Sequence, residues 1–156
     1  MKNAVITGGN RGIGLACVNA MARDGWNVTL LCHTHPDEAE EIANRLRSEG
    51  RSVSWKRCDL SRQEDVNRCF QEILKSCHHI DALVLNAGVS LIRMFQDTTE
   101  DDWESLFQIN FMGMVRPIQN LLPAMISQKC GSIITISSMW GEVGASCESA
   151  YASLKA

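Results

Sequence analysis

The sequence predicts an α/β fold in which helices cover both faces of a doubly wound parallel sheet. Apolar runs typical of strands alternate with helical periodicity along all 156 residues. The connections are short, and the run Ala82–Leu85 is hydrophobic without interruption. Strict alternation with short connections implies right-handed crossovers between parallel strands. An uninterrupted apolar strand is typical of one that is buried on both faces.

The first half of the chain predicts three strand–helix units. Strands are expected at Asn3–Thr7, Asn27–Cys32 and Ser52–Arg57. Helices are expected from about Gly12 to Asp24 and over Pro36–Glu49, each followed by a glycine suited to a helix end. Ser61-Arg62-Gln63-Glu64 predicts a capping box that opens a third helix. The apolar face of that helix consists of Val66, Phe70, Ile73 and Leu74.

The second half predicts two more strands and one long helix. His78-His79 is expected at an exposed helix end, before the fourth strand at Ala82–Leu85. Thr99–Gln128 is predicted to be a single helix with Thr99 as its N-cap. Pro117 is expected to kink this helix or to disturb one backbone hydrogen bond. The fifth strand is expected at Gly131–Ile136.

Composition excludes several classes of protein. Fifteen Lys and Arg against eighteen Asp and Glu give a net charge of −3, which argues against a nucleic-acid protein with a basic face. No run approaches the length of a membrane-spanning helix, and the N-terminal apolar run is too short for a secretory signal. The seven cysteines form no C-x-x-C pair, so we expect reduced thiols in a cytoplasmic protein.

A glycine-rich segment, Thr7-Gly8-Gly9-Asn10-Arg11-Gly12-Ile13-Gly14, connects the first strand to the first helix. Glycines allow a tight turn and let a pyrophosphate approach the helix N-terminus, where free N–H groups favour an anion. The alternative is a tight turn that serves only helix–strand packing. Because the segment lies between a strand and a helix, it predicts a nucleotide-binding loop of the Rossmann type.

Four polar side chains in the second half are candidates for catalysis. Asn110 lies within the apolar face of the long helix, so its amide must be hydrogen-bonded, either as a structural cap or as part of a site. Tyr151 and Lys155 are four residues apart and would share one face of a helix. An ammonium group near a phenol favours the phenolate, although such a pair is also common on surfaces. Ser138, after the fifth strand, would lie at the same edge of the sheet.

These motifs together resemble the N-terminal part of a short-chain dehydrogenase/reductase, and are most similar to the 3-oxoacyl-acyl-carrier-protein reductases. The resemblance rests on T-G-x-x-R-G-I-G, Asp59, Asn86-Ala87-Gly88, Asn110, Ser138 and Tyr151-x-x-x-Lys155. It implies that residues 1–156 are an NADP-binding Rossmann domain with five of seven expected strands. The missing part would carry the remaining strands and the substrate lid.

The resemblance also implies roles for individual residues. Tyr151 would be the acid/base, Ser138 would orient the carbonyl, Lys155 would assist Tyr151 and bind ribose, and Asn110 would hold a water of the proton relay. Asp59 would meet the adenine amino group, with capping of the next helix as the alternative. The implied cofactor contacts are Gly8, Asn10, Arg11, Gly12, Ile13, Gly14, His33, Asp59, Leu60, Asn86, Ala87, Gly88, Tyr151 and Lys155.

The end of the second strand favours NADP(H) over NAD(H). An acidic residue there would bind the ribose 2′-hydroxyl and repel a 2′-phosphate, but this position is Cys32. His33, Thr34 and Arg11 can instead donate hydrogen bonds to a phosphate. The alternative for His33 is a solvated side chain. No metal site is predicted, because His33-x-His35 has no third ligand nearby.

The sequence therefore predicts an NADPH-dependent reductase of a small-molecule or acyl-carrier-bound carbonyl substrate. The alternative is a truncated, non-catalytic dinucleotide-binding module. A sugar-nucleotide epimerase is disfavoured by the spacing of Gly8, Gly12 and Gly14. The resemblance implies a homo-oligomer and no nucleic-acid or membrane partner. Met139, Trp140 and the segment 90–95 are candidate substrate walls.

Overall fold

The central sheet contains five parallel strands in the order β3-β2-β1-β4-β5. The computed structural model describes residues 1–77 and 79–156. The strands are β1 (Asn3–Thr7), β2 (Asn27–Cys32), β3 (Val53–Arg57), β4 (Ala82–Leu85) and β5 (Ser132–Thr135). The strand order reverses direction between β1 and β4, and in sheets of this kind ligands bind in the crevice at that point.

Six α-helices connect or follow these strands among the described residues. They are α1 (Gly12–Arg23), α2 (Pro36–Ser48), α3 (Gln63–Ser76), α4 (Glu100–Leu106), α5 (Met112–Gln128) and α6 (Ser149–Ser153). The predicted bounds of the five strands, α1 and α2 agree with the structure to within one residue at each end. No helix in residues 1–77 and 79–156 is long and apolar enough to cross a membrane.

Two apolar cores, one on each face of the sheet, confirm the doubly wound α/β prediction. Side chains alternate along β1, so Val5 joins the core beneath α3 and α5, whereas Ile6 joins the core beneath α1 and α2. Phe70 of α3 and Leu30 of β2 are fully buried, one in each core. Burial on both faces explains why the central strands are apolar without alternation.

The predicted long helix is present, since helical residues run without a gap from Glu100 to Gln128, but it is not one regular α-helix. A π-helical turn at Phe107–Phe111 separates α4 from α5. Pro117 lies inside α5, downstream of this interruption. A π turn adds a residue to the helical ladder and changes which side chains face the core. Here it contains the fully buried Asn110.

The predicted capping box at Ser61 is also wrong. The N-cap of α3 is Arg62, which makes no side-chain capping hydrogen bond. The Ser61 hydroxyl donates instead to Asp59 Oδ1 at 2.6 Å. The predicted N-cap at Thr99 is confirmed, because Thr99 and Asp102 form a reciprocal capping box at the start of α4.

The edge strand β5 is exposed along its whole length, and Ile133 and Ile134 on its opposite faces are 36% and 41% exposed. His79 follows the end of α3 and is exposed, in line with the helix-end prediction, whereas His78 lies outside the described residues. Within the described part of the chain, no cluster of three or more His, Cys, Asp or Glu side chains could hold a metal ion.

Candidate functional site

A cleft of about 490 Å³ opens at the carboxyl ends of the strands. Eleven of the predicted cofactor contacts line it, namely Gly8, Asn10, Arg11, Gly12, Ile13, His33, Asp59, Leu60, Asn86, Ala87 and Gly88. The predicted residues outside its lining are Gly14, Tyr151 and Lys155. The lining also includes Leu31, Cys32, Thr34, Cys58, Ser61, Val89 and Ile109. The topology thus assembles four separate loops around one cavity.

The glycine loop requires glycine for two different reasons. Gly8 and Gly12 have φ values of +63° and +54°, a left-handed conformation that strains L-residues. Gly14 instead lies directly against the loop: an added Cβ would overlap the Gly8 carbonyl oxygen and lie 2.6 Å from Asn86 Nδ2. Gly14 therefore packs beneath the cleft, where it lets α1 approach the loop.

Thr7 joins the glycine loop to the turn after β4, a role that the sequence analysis missed. Its Oγ1 accepts the backbone N–H groups of Asn86 and Ala87, each at 3.0 Å. Asn86 Nδ2 donates back to the carbonyl oxygens of Thr7 and Gly8, at 3.2 and 3.1 Å. These reciprocal bonds satisfy backbone groups that the strand ends leave unpaired, and they hold the two loops in one position.

The end of β2 presents donors and no carboxylate to the cleft. Cys32 is 3% exposed, and burial raises the pKa of its thiol. The side chain therefore lines the cleft as an uncharged group. His33, Thr34 and Arg11 are exposed at the cleft edge. One carboxylate lies behind this edge: Glu38 Oε2 of α2 accepts from Asn10 Nδ2 at 3.1 Å.

Asp59 organises the turn between β3 and α3. Its Oδ1 accepts from the Ser61 backbone N–H at 3.0 Å and from the Ser61 hydroxyl. Its Oδ2 lies 3.7 Å from His33 Nε2, and its side chain is 19% exposed. The backbone N–H of Asp59 donates to Asp65 Oδ2, and this bond lowers the pKa of the Asp65 carboxyl. The Asp59 side chain caps this turn rather than α3.

Asn110 clamps the loop after β4. Its Oδ1 accepts the Val89 backbone N–H and its Nδ2 donates to the Val89 carbonyl, both at 2.8 Å. Oδ1 also lies near Gly88, where an added Cβ would be 3.0 Å from it. The buried amide is thereby hydrogen-bonded, as the sequence analysis requires. The observed bonds are those of a structural cap on a loop that lines the cleft.

Replacement of Asn110 by leucine is expected to remove both hydrogen bonds to the Val89 backbone. Val89 is 38% exposed, so water can replace part of what is lost; because a typical hydrogen bond contributes about 0.5–1.5 kcal/mol, the free energy of unfolding should fall by about 1–3 kcal/mol. Urea denaturation monitored by tryptophan fluorescence measures it. Asn120→Leu is the matched control, since Asn120 is a half-buried amide on α5 that bonds Arg116 and Asn67. An equal loss in the control would contradict a special role for the clamp.

Lys155 also approaches Gly88. Its Nζ would lie 3.4 Å from a Cβ at Gly88, donates to the Ile136 carbonyl oxygen at 2.9 Å, and lies 5.9 Å from the centroid of the Tyr151 ring. Lys155 is 9% exposed, and this burial lowers the pKa of its ammonium group. The position of an added Cβ at Gly88 is therefore within 3.4 Å of both Asn110 Oδ1 and Lys155 Nζ.

The expected helical stacking of Tyr151 and Lys155 is wrong in detail. Helix α6 ends at Ser153, and Lys155 lies in the turn that follows. The turn is held by the backbone N–H of Lys155, which donates to the Ala152 carbonyl at 3.1 Å. The ammonium group nevertheless reaches the Tyr151 ring, so the contact that the spacing predicts is present without a continuous helix.

The two serines after β5 have different partners. Ser138 is the N-cap of a 3-10 turn at Met139–Gly141, and its Oγ accepts the Trp140 backbone N–H at 3.2 Å. The Ser137 hydroxyl donates to the Lys155 carbonyl oxygen. An added Cβ at Gly141 would overlap that same carbonyl. Ser137 and Gly141 therefore hold the backbone of Lys155 against the end of β5.

The loop after β4 continues towards α6 and carries exposed apolar side chains. Its anchor is Arg93, whose backbone N–H donates to the Cys147 carbonyl at 2.7 Å and whose guanidinium pairs with Asp102. Ile92, Met94 and Phe95 are 77%, 53% and 68% exposed. Met139 and Val143, after β5, are 66% and 54% exposed. Both segments predicted as substrate walls thus present apolar surface.

The fold and the cleft define a class of protein, and sequence comparison agrees. A family model described as short chain dehydrogenase matches residues 2–156, so the chain belongs to the short-chain dehydrogenase family. The chain spans between about half and two thirds of the length of the curated relatives it matches.

Three relatives show the range of similarity. A fatty acyl-CoA reductase of Acinetobacter baylyi is 37% identical over 99% of this chain and 53% of the relative. The uncharacterized oxidoreductase YmfI of Bacillus subtilis is 35% identical over 99% and 63%. A 3-oxoacyl-[acyl-carrier-protein] reductase FabG of Chlamydia pneumoniae is 31% identical over 99% and 62%.

Solved structures agree closely with this fold. A metagenomic short-chain oxidoreductase in complex with NADP superimposes with a TM-score of 0.94 at 28% identity, covering 99% of this chain and 70% of that one. An alcohol dehydrogenase from the archaeon Thermococcus sibiricus, complexed with 5-hydroxy-NADP, gives the same TM-score at 29% identity, covering 99% and 66%.

Proposed function

We propose that residues 1–156 form the NADP-binding domain of an NADPH-dependent carbonyl reductase of the 3-oxoacyl type. The observation that carries the proposal is the approach of Asn110 Oδ1 and Lys155 Nζ to Gly88, at one end of a cleft whose other end exposes Arg11 and His33. A dinucleotide has a phosphate-bearing adenosine end and a reactive nicotinamide end. The cleft has two ends of this kind: cationic and donor groups line one, and Gly88 and Val89, which Asn110 and Lys155 approach from outside the lining, form the other.

The residues present fit a dinucleotide. An added Cβ at Gly8 would lie 3.1 Å from Ala87 Cα and one at Gly88 would lie 3.0 Å from Asn110 Oδ1, so glycine at both positions lets the elements around the cleft pack closely. Ile13 lies in the first turn of α1 and is 61% exposed in the cleft lining, where a bound ligand would cover it. The N-terminus of α1 has no side-chain cap, which leaves its N–H groups available to a pyrophosphate.

In the proposed reaction each catalytic residue has one task. NADPH bound in the cleft would be the source of the hydride that the carbonyl carbon takes up. The Tyr151 hydroxyl donates the proton to the carbonyl oxygen, and the Ser138 hydroxyl donates a hydrogen bond to the same oxygen. The buried ammonium of Lys155 stabilises negative charge on the phenol oxygen and would hold the nicotinamide ribose. Asn110 holds the loop at Val89 beside which this ribose would lie, and the reverse reaction is alcohol oxidation.

The apolar loops support an acyl substrate. Scattered exposed hydrophobic residues are ordinary, but a concentration beside a cleft marks a binding surface. Ile92, Met94 and Phe95 precede α4, and Met139 and Val143 follow β5, on either side of the proposed catalytic end. Two relatives are named for fatty acyl or 3-oxoacyl substrates. The proposed substrate is therefore a carbonyl compound with an apolar acyl group.

We also propose that the working enzyme is a homo-oligomer. Phe107 and Phe111 form a stacked pair with centroids 5.2 Å apart in the π turn, and both rings are more than one third exposed. Burial of such a pair against a second copy would remove apolar surface from water.

A test of cofactor choice is titration of this chain with NADPH and NADH, with thermal stability as the readout. Hydrogen bonds to a charged group contribute about 1.5–3 kcal/mol, so Arg11→Ala and His33→Ala should each weaken NADPH binding at least tenfold and leave NADH nearly unchanged. Arg45→Ala is the control, since Arg45 is exposed on α2 and pairs with Glu49. Equal losses for both nucleotides would contradict recognition of the 2′-phosphate by Arg11 and His33.

One observation favours NAD(H) as the second candidate. Glu38 lies behind the end of β2 and bonds Asn10 of the glycine loop. Unless a cation pairs with it, the Glu38 carboxylate would repel a 2′-phosphate. If Glu38→Gln strengthens NADPH binding without affecting NADH, the carboxylate acts against NADP(H). The non-catalytic alternative is supported instead if dinucleotide binds and no carbonyl substrate is turned over.

A further inference from the structure

Arg116 is a buried cation on α5 that the proposed reaction does not use. The residue is 7% exposed. Its Nη1 donates to the Leu60 carbonyl oxygen at 2.9 Å and to the Gln108 carbonyl oxygen at 3.3 Å. Its Nη2 donates to the Gln108 side-chain oxygen. No carboxylate in residues 1–77 and 79–156 forms an ion pair with it.

Burial of this cation costs folding free energy, and that cost has no benefit if the side chain only fills space. A buried charge without a counter-ion has lost its hydration, and Arg116 Nε is buried with no hydrogen-bond partner among the described residues. Gln108 partly compensates the buried charge: its side-chain oxygen accepts from Arg116, and its Nε2 donates to Glu104 Oε1 at 2.6 Å. The amide of Gln108 therefore links the guanidinium to an exposed carboxylate.

The two sets of acceptors belong to neighbouring turns that serve different parts of the candidate site. Leu60 lines the cleft in the turn after β3, together with Asp59 and Ser61. Gln108 lies in the π turn, two residues before Asn110, which clamps Val89 next to Gly88. The guanidinium therefore joins the turn at the adenosine end to the turn that positions the clamp at the nicotinamide end.

Close packing supports the same connection. Gly113, in the first turn of α5, lies against Leu60, where an added Cβ would be 3.3 Å from Leu60 Cβ and 3.6 Å from the Gln108 carbonyl oxygen. The turn after β3, the π turn and the start of α5 thus share one contact region. If a ligand displaced Leu60, this close packing would leave little room for local adjustment, and the displacement would reach Gln108 through Arg116.

We infer that Arg116 is a positioning residue that couples occupation of the adenosine end of the cleft to the Asn110 clamp on Val89. The inference rests on the proposed dinucleotide site. It assigns to the adenosine part of the cofactor a second effect besides affinity, namely ordering of the loop at the catalytic end. The connection runs from Leu60 through Arg116 and Gln108 to Asn110.

The test uses 2′,5′-ADP, which carries only the adenosine end of NADP, and hydrogen exchange at the Val89 amide. Couplings between sites are about 5–150-fold in affinity, so saturation with this fragment should slow Val89 exchange at least about fivefold in the unmodified chain. Arg116→Met should still bind the fragment and lose this protection. Arg116→Lys retains the charge but has one donor atom, so it should fold normally and also lose most of the protection.

Each alternative result has a distinct meaning. If the fragment binds and Val89 exchange does not change in the unmodified chain, the coupling is absent and the inference is wrong. Full protection in Arg116→Lys or Arg116→Met would also overturn it. If Arg116→Met does not fold, Arg116→Lys and Gln108→Leu decide the question. Failure of the fragment to bind the unmodified chain would instead contradict the proposed NADP-binding function, on which the inference rests. Arg45→Met, on the exposed face of α2, is the control and should behave as the unmodified chain.

Discussion

Substitution of Gly14 by alanine is expected to abolish dinucleotide binding and to destabilise the chain by about 3 kcal/mol, the upper part of the range for overpacked sites. The added Cβ would overlap the Gly8 carbonyl oxygen and lie 2.6 Å from Asn86 Nδ2. Both neighbours are backbone atoms or side-chain atoms held by hydrogen bonds. Neither can rotate away, so the glycine loop and the Asn86 turn must separate.

The measurements are urea denaturation for stability and NADPH titration for binding. Gly144→Ala is the matched control, because no atom lies within 4 Å of its added Cβ and its φ is not positive. Gly12→Ala is intermediate: its Cβ has open space but its φ of +54° is left-handed, which costs about 1–2 kcal/mol. If Gly14→Ala binds NADPH as tightly as the unmodified chain, the described packing beneath the loop is incorrect.

Substitution of Tyr151 by phenylalanine is expected to lower the rate of carbonyl reduction about 10²–10⁴-fold, the usual contribution of general acid–base catalysis. The change removes one hydroxyl and keeps the ring that Lys155 Nζ approaches at 5.9 Å. The Lys155 bond to the Ile136 carbonyl does not involve this hydroxyl. Stability and the affinity for NADPH should therefore remain close to those of the unmodified chain.

The readouts are NADPH oxidation with a 3-oxoacyl thioester and a separate NADPH titration. Ser153→Ala is the control in the same helix, since the Ser153 hydroxyl only donates to the Ala150 carbonyl at 2.9 Å. A Tyr151→Phe variant that turns over substrate at the unmodified rate would exclude Tyr151 as the acid. If the unmodified chain binds NADPH but reduces no carbonyl compound, the non-catalytic module is the better description of these 156 residues.

The two substitutions separate binding from chemistry. Gly14 acts on the shape of the cleft, whereas Tyr151 lies outside its lining and acts only if a carbonyl compound reaches α6. Loss of binding in the first variant and loss of turnover alone in the second would together support a dinucleotide-dependent reductase. Loss of both properties in both variants would indicate that each change acts through folding.

Much of the architecture was predictable because it depends on local patterns. Strand and helix periodicities predicted the parallel sheet, and the glycine spacing after β1 predicted the loop that lines the cleft. The Thr99 cap was predictable because both partners of a capping box lie within one helical turn. The same rule failed at Ser61, where Asp59 competes for the Ser61 hydroxyl and N–H.

Features that depend on distant contacts were not predictable. The π turn at Phe107–Phe111 interrupts a segment whose apolar periodicity suggests one helix, and it surrounds an amide whose partner is Val89. Lys155 reaches Tyr151 from a turn, since its backbone is held by Ser137 and its Nζ by Ile136. Each of these partners is more than fifteen residues away in sequence, beyond the reach of a periodicity argument.

The sequence by itself determined the fold class, the family resemblance and eleven of the residues that line the cleft, because each of these follows from residue type and spacing along the chain. The tertiary structure decided how those residues are held: the Asn110 clamp on Val89, the packing of Gly14 against the loop, and the Arg116 bridge between Leu60 and Gln108. The physical reason is that buried polar groups must find hydrogen-bond partners, and chain packing alone determines which partners come within reach.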